Sequence, residues 1–319
     1  MKYSFVIPCY RSEHTLEQVV GELIAETKKQ HLTDYEIVLV NDCSPDDVWH
    51  VIQRLSREHA CVYGINLARN FGQHAALLAG YAKTKGDIIV SLDDDGQAPV
   101  DELDKLLGEL ERGQDVVYAY YEEIKQNRFR KFGTAVATWM SRIMLGAPED
   151  FKGSSFYVAK RFVIEEMLRY KNAYPYLLGL VLRTTRKIGY VQTSHRERVY
   201  GTSGYSFRKL FSLWLNGFTA FSVKPLEIGV WLGILFAAIG FIGGLATVIH
   251  KIIRPSVMAG WSSTVCLILL MGGVIMLMLG VIGEYIGRIY ICINNAPQYV
   301  VKEETPAKKE RNGEKNENH

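Results

Sequence analysis

Ile88-Ile89-Val90-Ser91-Leu92-Asp93-Asp94-Asp95-Gly96-Gln97 is the stretch that decides how the rest of the chain is arranged. Its apolar first half, preceded by Gly86-Asp87, predicts a buried parallel strand that ends where three carboxylates begin. Ligands of open α/β sheets bind at the carboxyl ends of strands, and carboxylate oxygens suit Mg²⁺ or Mn²⁺ that substrate phosphates also hold. The alternative is a strand-to-helix turn in which Asp95 or a neighbour caps a helix that starts near Pro99.

Strands and helices alternate along the first 120 residues. Further strands are predicted at Tyr3–Ile7, Tyr35–Val40, Cys61–Leu67 and Asp115–Tyr120, with amphipathic helices between them. Strand, helix, strand at this spacing indicates crossover connections, and therefore an α/β domain with a mainly parallel sheet. Beyond it, Ser155–Val158 predicts a short strand, and the alternation over Lys187–Arg198 predicts an antiparallel strand pair.

Composition excludes some classes of protein. The 319 residues carry a net charge of only +3 and no basic stripe interleaved with aromatics, so we expect no nucleic-acid partner. The five cysteines form no C-x-x-C pair, which is typical of a reducing compartment. The N-terminus is predicted to enter a strand directly, without a charged-then-apolar leader, so we expect the first domain to stay on the side of the membrane where it is made.

Two long apolar segments, Leu226–Ile249 and Val265–Ile282, are predicted to cross a bilayer. Before them, Ser206–Phe221 has the pattern of an amphipathic helix at the membrane surface, the alternative being an ordinary core helix. After them, the polar tail from Lys302 onward is predicted to be disordered. The predicted domains are a catalytic domain at 1–205, an interfacial helix at 206–225, a two-helix transmembrane domain at 226–290 and a largely disordered tail at 291–319.

Two spans would leave the sheet domain and the tail on the same side of the membrane. Basic residues flank that side, which predicts a multi-pass protein of the inner or plasma membrane whose catalytic domain and tail are cytoplasmic. Glycines within the spans, such as Gly243 and Gly272, allow close helix approach and are consistent with a homo-oligomer.

Several polar loops follow strands that should end at one edge of the sheet. Pro8-Cys9-Tyr10 follows the first strand, Asp42 the second, and the three aspartates the fourth. No G-x-G-x-x-G follows the first strand, which disfavours a dehydrogenase-type dinucleotide fold. A carboxylate at Asp42 can accept a hydrogen bond from a pyrimidine N–H, and a metal at Asp95 can hold a diphosphate. Together they predict a nucleoside-diphosphate site.

At these residues the sequence resembles the inverting family-2 glycosyltransferases of the GT-A fold. Within them it is similar to the bacterial polyprenyl-phosphate glycosyltransferases related to dolichol-phosphate mannose synthase. The motifs that carry the resemblance run in this order: Val6-Ile7-Pro8-Cys9-Tyr10, Val40-Asn41-Asp42-Cys43-Ser44, Asn66-Leu67-Ala68-Arg69-Asn70-Phe71-Gly72, Leu92-Asp93-Asp94-Asp95-Gly96-Gln97, Arg198-Val199-Tyr200-Gly201-Thr202-Ser203 and Gly283-Glu284-Tyr285-Ile286-Gly287-Arg288-Ile289-Tyr290.

The resemblance implies transfer of a sugar from a UDP-sugar to polyprenyl (undecaprenyl) phosphate with inversion, for use in a cell-surface glycan. Asp42 would contact uracil, Asp95 the Mg²⁺ or Mn²⁺ ion, and Gln97 would lie beside the acceptor. The predicted donor-binding residues are Pro8, Tyr10, Glu13, Asp42 and Asp93. The predicted catalytic residues are Asp93, Asp94, Asp95, Gln97 and Arg198. The acceptor phosphate would be held by Arg128, Arg130, Arg198 and Ser203.

Two positions depart from the family pattern. Gly204 stands where relatives often have Lys, so a phosphate contact is expected to pass to Arg196, Arg208 or Lys209. Ser155 stands where some relatives have an Asp proposed as base. A phosphate monoester is already largely dianionic at neutral pH, because its second pKa is about 6, so no strong base is required. For His74, at the start of a helix, a capping or packing role is favoured over contact with the diphosphate.

Two other functions share features with this sequence. Processive polysaccharide synthases share the fold but carry Q-x-x-R-W, whereas none of the five tryptophans here follows an arginine and two spans make a poor channel. A membrane-anchored protein that binds nucleotide sugar without turnover is the non-enzymatic alternative.

Overall fold

A computed structural model describes residues 1–121, 152–173, 175–194, 196, 224–253, 260–294 and 296–306. Within these ranges, eight strands make one sheet: β1 Tyr3–Cys9, β2 Tyr35–Asn41, β3 Val62–Leu67, β4 Ile88–Ser91, β5 Val116–Tyr121, β6 Tyr157–Lys160, β7 Ile188–Thr193 and β8 Val301–Glu304. The helices are α1 Leu16–Lys29, α2 Val48–Glu58, α3 Gln73–Tyr81, α4 Leu103–Glu111, α5 Arg161–Arg169, α6 Leu177–Thr184, α7 Lys224–Ile253 and α8 Trp261–Ile293, with a 3-10 helix at Val100–Glu102.

The sheet has the order β7-β5-β6-β4-β1-β2-β3-β8. Strand β1 pairs in parallel with both β2 and β4, and β5 pairs in parallel with β7. Among the described strands, only β6 and β8 run antiparallel to their neighbours. The predicted mainly parallel α/β sheet is therefore confirmed. The strand pair predicted over Lys187–Arg198 is wrong for its first half, because Ile188–Thr193 is a single strand lying parallel to β5.

Both faces of the sheet are covered, which explains why its central strands are continuously apolar. Successive side chains point to opposite faces, so Phe5 and Ile7 pack in one buried cluster with α1, α2 and α4. Val6 packs in the other, which includes α3, α5 and α6. Helix α3 packs closely against β1 at Gly80, because a Cβ atom at this position would overlap the side chain of Val6.

The carboxyl ends of the central strands meet at one edge of the sheet. Cys9, the last residue of β1, is level with Asn41, the last residue of β2. Ser91, the last residue of β4, is level with Val6. The loops that follow these strands therefore emerge side by side, and they contain the polar residues singled out in the sequence.

The C-terminal segment rejoins the sheet, which corrects the prediction of a disordered tail from Lys302. Strand β8 pairs antiparallel with β3. The Ala68 N–H donates to the Val300 carbonyl at 2.8 Å, and the Gly64 N–H donates to the hydroxyl of buried Thr305 at 2.9 Å. An edge strand is held by backbone hydrogen bonds and needs few apolar side chains, so the polar sequence of β8 does not predict a strand. Residues 307–319 lie outside the described part.

Helices α7 and α8 contain 30 and 33 residues. Large apolar side chains along them are exposed, among them Trp231, Ile242 and Met276. Among the described residues, one helical stretch, Met271–Ile293, is both long and apolar enough to cross a membrane, and Gly229–Gly240 is a shorter apolar run. The predicted interfacial helix at Ser206–Phe221 falls outside the described residues.

Candidate active site

The acidic run at the end of β4 forms a tight turn. The Asp95 carboxylate accepts the Gln97 N–H at 3.0 Å, and Gly96 between them has a φ of +75°, a backbone conformation that favours glycine. On the other side, the Asp93 carboxylate accepts the side-chain amide of Gln73 at 2.7 Å. The turn thus keeps Asp93 and Asp95 together at the carboxyl edge.

Asp94 binds the loop that follows β1. Its carboxylate accepts the Tyr10 N–H at 2.9 Å, and its carbonyl accepts the Thr15 hydroxyl at 2.7 Å. Burial, together with the charges of Asp93 and Asp95, raises the pKa of Asp94 to about 7. The sequence predicts a catalytic role for Asp94. Its contacts in the structure join the loop after β4 to the loop after β1.

Asp42 is buried at the end of β2 and organises the loop before α3. One carboxylate oxygen accepts the Phe71 N–H at 2.7 Å and the other accepts the Gly72 N–H at 2.8 Å. Burial raises the pKa of Asp42, while the two N–H donors oppose that rise. Each oxygen has a second lone pair, so the predicted uracil contact is compatible with this arrangement and stays a prediction.

The remaining predicted donor residues lie on the β1 loop. Pro8 is within β1, opposite Val40 of β2. The Glu13 carboxylate accepts the Asp47 N–H at 2.8 Å, which ties this loop to the start of α2. Tyr10 is 42% exposed, with the Arg11 guanidinium 5.6 Å from its ring centre, so its ring is open to a ligand at this edge.

Gln97 reaches the segment that follows β7. Its amide donates to the Arg196 carbonyl at 3.4 Å. The Arg196 guanidinium lies 3.0 Å from Glu22 and 2.7 Å from Asp101. Because Arg196 is paired with two carboxylates, it is a poor substitute for the phosphate-binding lysine that the sequence lacks. Arg208 and Lys209, the other substitutes, lie outside the described residues.

Four predicted acceptor residues, Arg128, Arg130, Arg198 and Ser203, also lie outside the described residues. His74 is described, and its ring packs edge-on against Tyr176 at 5.5 Å between centroids, in agreement with the packing interpretation. Burial lowers its pKa to about 4, so the ring is neutral at physiological pH.

A divalent cation fits the acidic turn in one particular way. Within the described ranges, no group of three or more His, Cys, Asp or Glu side chains is arranged to hold a metal ion alone. Mg²⁺ is usually held by one or two carboxylates together with phosphate oxygens of the substrate. Asp93 and Asp95 supply such carboxylates, so this donor set suits a cation that arrives with a diphosphate.

Comparison with known proteins identifies the family. The model of the glycosyl transferase family 2 matches residues 4–210. The chain belongs to glycosyl transferase family 2. The model described as the GtrB C-terminal hairpin matches residues 224–289, which include all of α7 and most of α8. This family 2 chain is therefore a glycosyltransferase with a GT-A domain and a C-terminal hairpin.

Relatives of this family 2 chain match along nearly their whole length. The undecaprenyl-phosphate 4-deoxy-4-formamido-L-arabinose transferase of Proteus mirabilis is 30% identical over 311 residues, covering 97% of this chain and 95% of the relative. The SfII prophage-derived bactoprenol glucosyl transferase of Shigella flexneri is 30% identical over 303 residues, covering 95% and 98%. These relatives confirm the resemblance to the polyprenyl-phosphate glycosyltransferases.

Solved structures agree on the fold of the family 2 domain. Glucosyl-3-phosphoglycerate synthase of Mycobacterium tuberculosis, in complex with Mn²⁺, uridine diphosphate and phosphoglyceric acid, matches with a TM-score of 0.50 and 18% sequence identity. The match covers 67% of this chain and 75% of that one. At this identity the similarity shows the GT-A fold alone.

Sequence reasoning missed Gln73 in this family 2 site. Its amide contact with Asp93 joins the end of β4 to the start of α3. An uncharged side chain at a helix start has no pattern that marks it as functional. Its one available signal was its place directly after the Phe71-Gly72 motif.

Proposed function

We propose that the protein transfers a sugar from a UDP-sugar to a polyprenyl phosphate in the membrane, by direct displacement with inversion. The observation that carries the proposal is the return of the chain to the sheet at the edge where the carboxylates lie. The two relatives named above are described as acting on undecaprenyl phosphate and bactoprenol, which supports the same class of acceptor.

The pairing of β8 with β3 constrains how the hairpin meets a bilayer. The chain leaves the sheet domain before α7 and rejoins it after α8. A chain that leaves a domain and returns to it must cross a membrane an even number of times. Since Met271–Ile293 is apolar enough to cross, we infer that α7 crosses as well, giving two spans. A UDP-sugar donor then requires the catalytic domain to be cytoplasmic.

The same pairing brings the membrane towards the site. Val300 follows Ile293, the last residue of α8, by seven residues and bonds to Ala68, directly after β3. Seven residues reach at most about 25 Å. Strand β8 therefore enters the sheet from its carboxyl edge, which is the edge that holds Asp42 and Asp95, so that edge faces the head groups. A polyprenyl chain costs about 0.8 kcal/mol per CH₂ to move into water, so its phosphate has to be met there.

The chemistry follows from the charges. A phosphate oxygen of the acceptor attacks the anomeric carbon while the bond to the diphosphate breaks and its electron pair leaves with UDP. Mg²⁺ or Mn²⁺ held by Asp95, with Asp93 beside it, would supply charge neutralisation for the leaving group. The Mn²⁺ and uridine diphosphate bound to the mycobacterial synthase are in keeping with this donor and cation. Arg128, Arg130, Arg198 and Ser203 are proposed to hold the acceptor phosphate.

The first experiment measures transfer to undecaprenyl phosphate from a panel of radiolabelled UDP-sugars by the purified full chain. Asp95→Asn should lose orders of magnitude in rate, and EDTA should silence the wild type. Asp104→Asn, on the exposed side of α4, is the matched control and should stay active. Full activity in excess EDTA would refute the cation. Equal transfer to a soluble sugar without lipid phosphate would refute the acceptor, and lengthening products would favour a processive synthase.

The second experiment tests the two spans. In a background without native cysteines, a cysteine at Ser256, between α7 and α8, should react with an impermeant thiol reagent added to whole cells. A cysteine at Asn312, in the C-terminal tail, should react only after the membrane is opened. Labelling of both positions from outside, or of neither, would contradict a two-span hairpin with a cytoplasmic catalytic domain.

A further inference from the structure

Gln73 joins the two halves of the candidate donor site. It is the first residue of α3, and its side-chain Nε2 donates to the Asp93 Oδ1 atom at 2.7 Å. The preceding residue, Gly72, has a φ of +88°, so the chain turns sharply into the helix at this point. The direction of the Gln73 side chain is therefore set by a turn that few other residues could make.

The turn is itself held by the other end of the site. The Asp42 carboxylate accepts the N–H groups of Phe71 and Gly72, the two residues before Gln73. Asp42 is thus linked to Asp93 through two hydrogen bonds to the backbone of this turn and one from the Gln73 side chain that follows it. Asp42 and Asp93 lie at the ends of β2 and β4, which are separated by β1.

The Gln73 amide donates a hydrogen bond to one of three adjacent carboxylates. Three adjacent carboxylates repel one another, and the partial positive charge of the Gln73 amide N–H group lies against one of them. The same contact limits rotation of the Asp93 carboxylate. Carboxylates beside a metal commonly depend on such partners for their orientation.

We propose that Gln73 is a positioning residue that orients Asp93 and thereby sets the affinity of the site for a divalent cation together with a nucleoside diphosphate. This inference rests on the proposed function. Gln73 is assigned no contact with substrate or with the cation. Its effect is expected on the donor side of the reaction and not on the lipid acceptor.

The test replaces the amide with an apolar group of similar length, Gln73→Met. Gln30→Met is the matched control, since the Gln30 amide also donates to a carboxylate, Glu26, at 2.8 Å, but at the far end of α1. Mn²⁺ binding is followed by electron paramagnetic resonance of free Mn²⁺, in the presence of saturating UDP. Gln73→Met should weaken Mn²⁺ binding about 10-fold or more, the usual cost of losing such a partner, while Gln30→Met should match the wild type.

A second variant guards against a folding defect. Gln73→Asn keeps the amide but is one CH₂ shorter, so it should also weaken Mn²⁺ binding while preserving the circular dichroism spectrum. In transfer assays, the Mn²⁺ concentration for half-maximal rate should rise for both variants, with the KM for lipid phosphate unchanged. Wild-type Mn²⁺ binding in both well-folded variants would overturn the proposal and leave the proposed function intact. A wild type that binds no Mn²⁺ with UDP would instead remove the cation from the proposed function itself.

Discussion

Replacement of Asp42 by Asn separates its structural contribution from its predicted contact with uracil. In the native site both carboxylate oxygens accept backbone N–H groups, at 2.7 and 2.8 Å. Asn retains one acceptor oxygen and turns an NH₂ group towards the second N–H. A hydrogen bond to a charged group contributes about 1.5–3 kcal/mol to stability. Part of this loss is offset, because the uncharged Asn avoids the cost of burying a charge that raises the pKa of Asp42. We expect the free energy of unfolding to fall by about 1–2 kcal/mol.

The assay combines stability with donor selection. For a domain of this size the expected loss corresponds to a fall of roughly 2–8 °C in the thermal unfolding midpoint, measured in detergent. Asp87→Asn is the control, because Asp87 accepts one backbone N–H, that of Lys2, at 2.8 Å at the opposite edge of the sheet. The Asp42 variant should also discriminate less between uridine and other nucleotide donors. An unchanged midpoint with unchanged donor preference would refute both parts of the reasoning.

Two further predictions concern stability. Burial lowers the pKa of His74 from 6.5 to about 4. The unfolded chain therefore binds a proton at this side chain at a higher pH than the folded protein does, so the free energy of unfolding should fall as the pH drops from 6.5 to 4. The loss of stability should reach about 3 kcal/mol. The thermal unfolding midpoint of His74→Asn should vary less over this pH range than that of the wild type. Parallel pH profiles of the two midpoints would contradict this prediction. Gly80→Ala should destabilise the protein by about 1–3 kcal/mol because its Cβ would overlap a valine of β1. At Gly21, an added Cβ would meet no atom of the described residues within 4 Å beyond its chain neighbours and its own helix backbone, so Gly21→Ala should stabilise α1 by about 0.5–1 kcal/mol. Equal midpoints for the two variants would show that the packing against β1 is not tight.

The central part of the fold could be predicted because its signal is local. Strands β1 to β4 are short apolar runs separated by amphipathic helices, and a sheet covered on both faces requires that pattern. The grouping of Asp42 with Asp93 and Asp95 followed, since parallel strands end at one edge. The mainly parallel sheet was predicted on these grounds, whereas the family was predicted from the resemblance of the motifs.

Features that depend on distant partners could not be predicted. Strand β8 has the sequence Val-Lys-Glu-Glu, which resembles a solvated tail, and it becomes a strand only because β3 offers an unpaired edge. The Gln73 bond to Asp93 and the two bonds that Asp42 accepts are individual hydrogen bonds between segments that are distant in sequence. Composition and periodicity carry no information about such bonds.

The position of β8 also determines when the sheet can be completed during synthesis. Tyr63 of β3 and Glu304 beside it in the finished sheet are 241 residues apart, and both long apolar helices lie between them. At about 5–20 residues per second, a ribosome needs roughly 12–48 s to make that interval. Until then the outer edge of β3 is open, and open edges invite pairing with other chains. The hairpin is therefore synthesised in full before the globular domain can close, and the proposed insertion of that hairpin into a membrane would precede completion of the sheet.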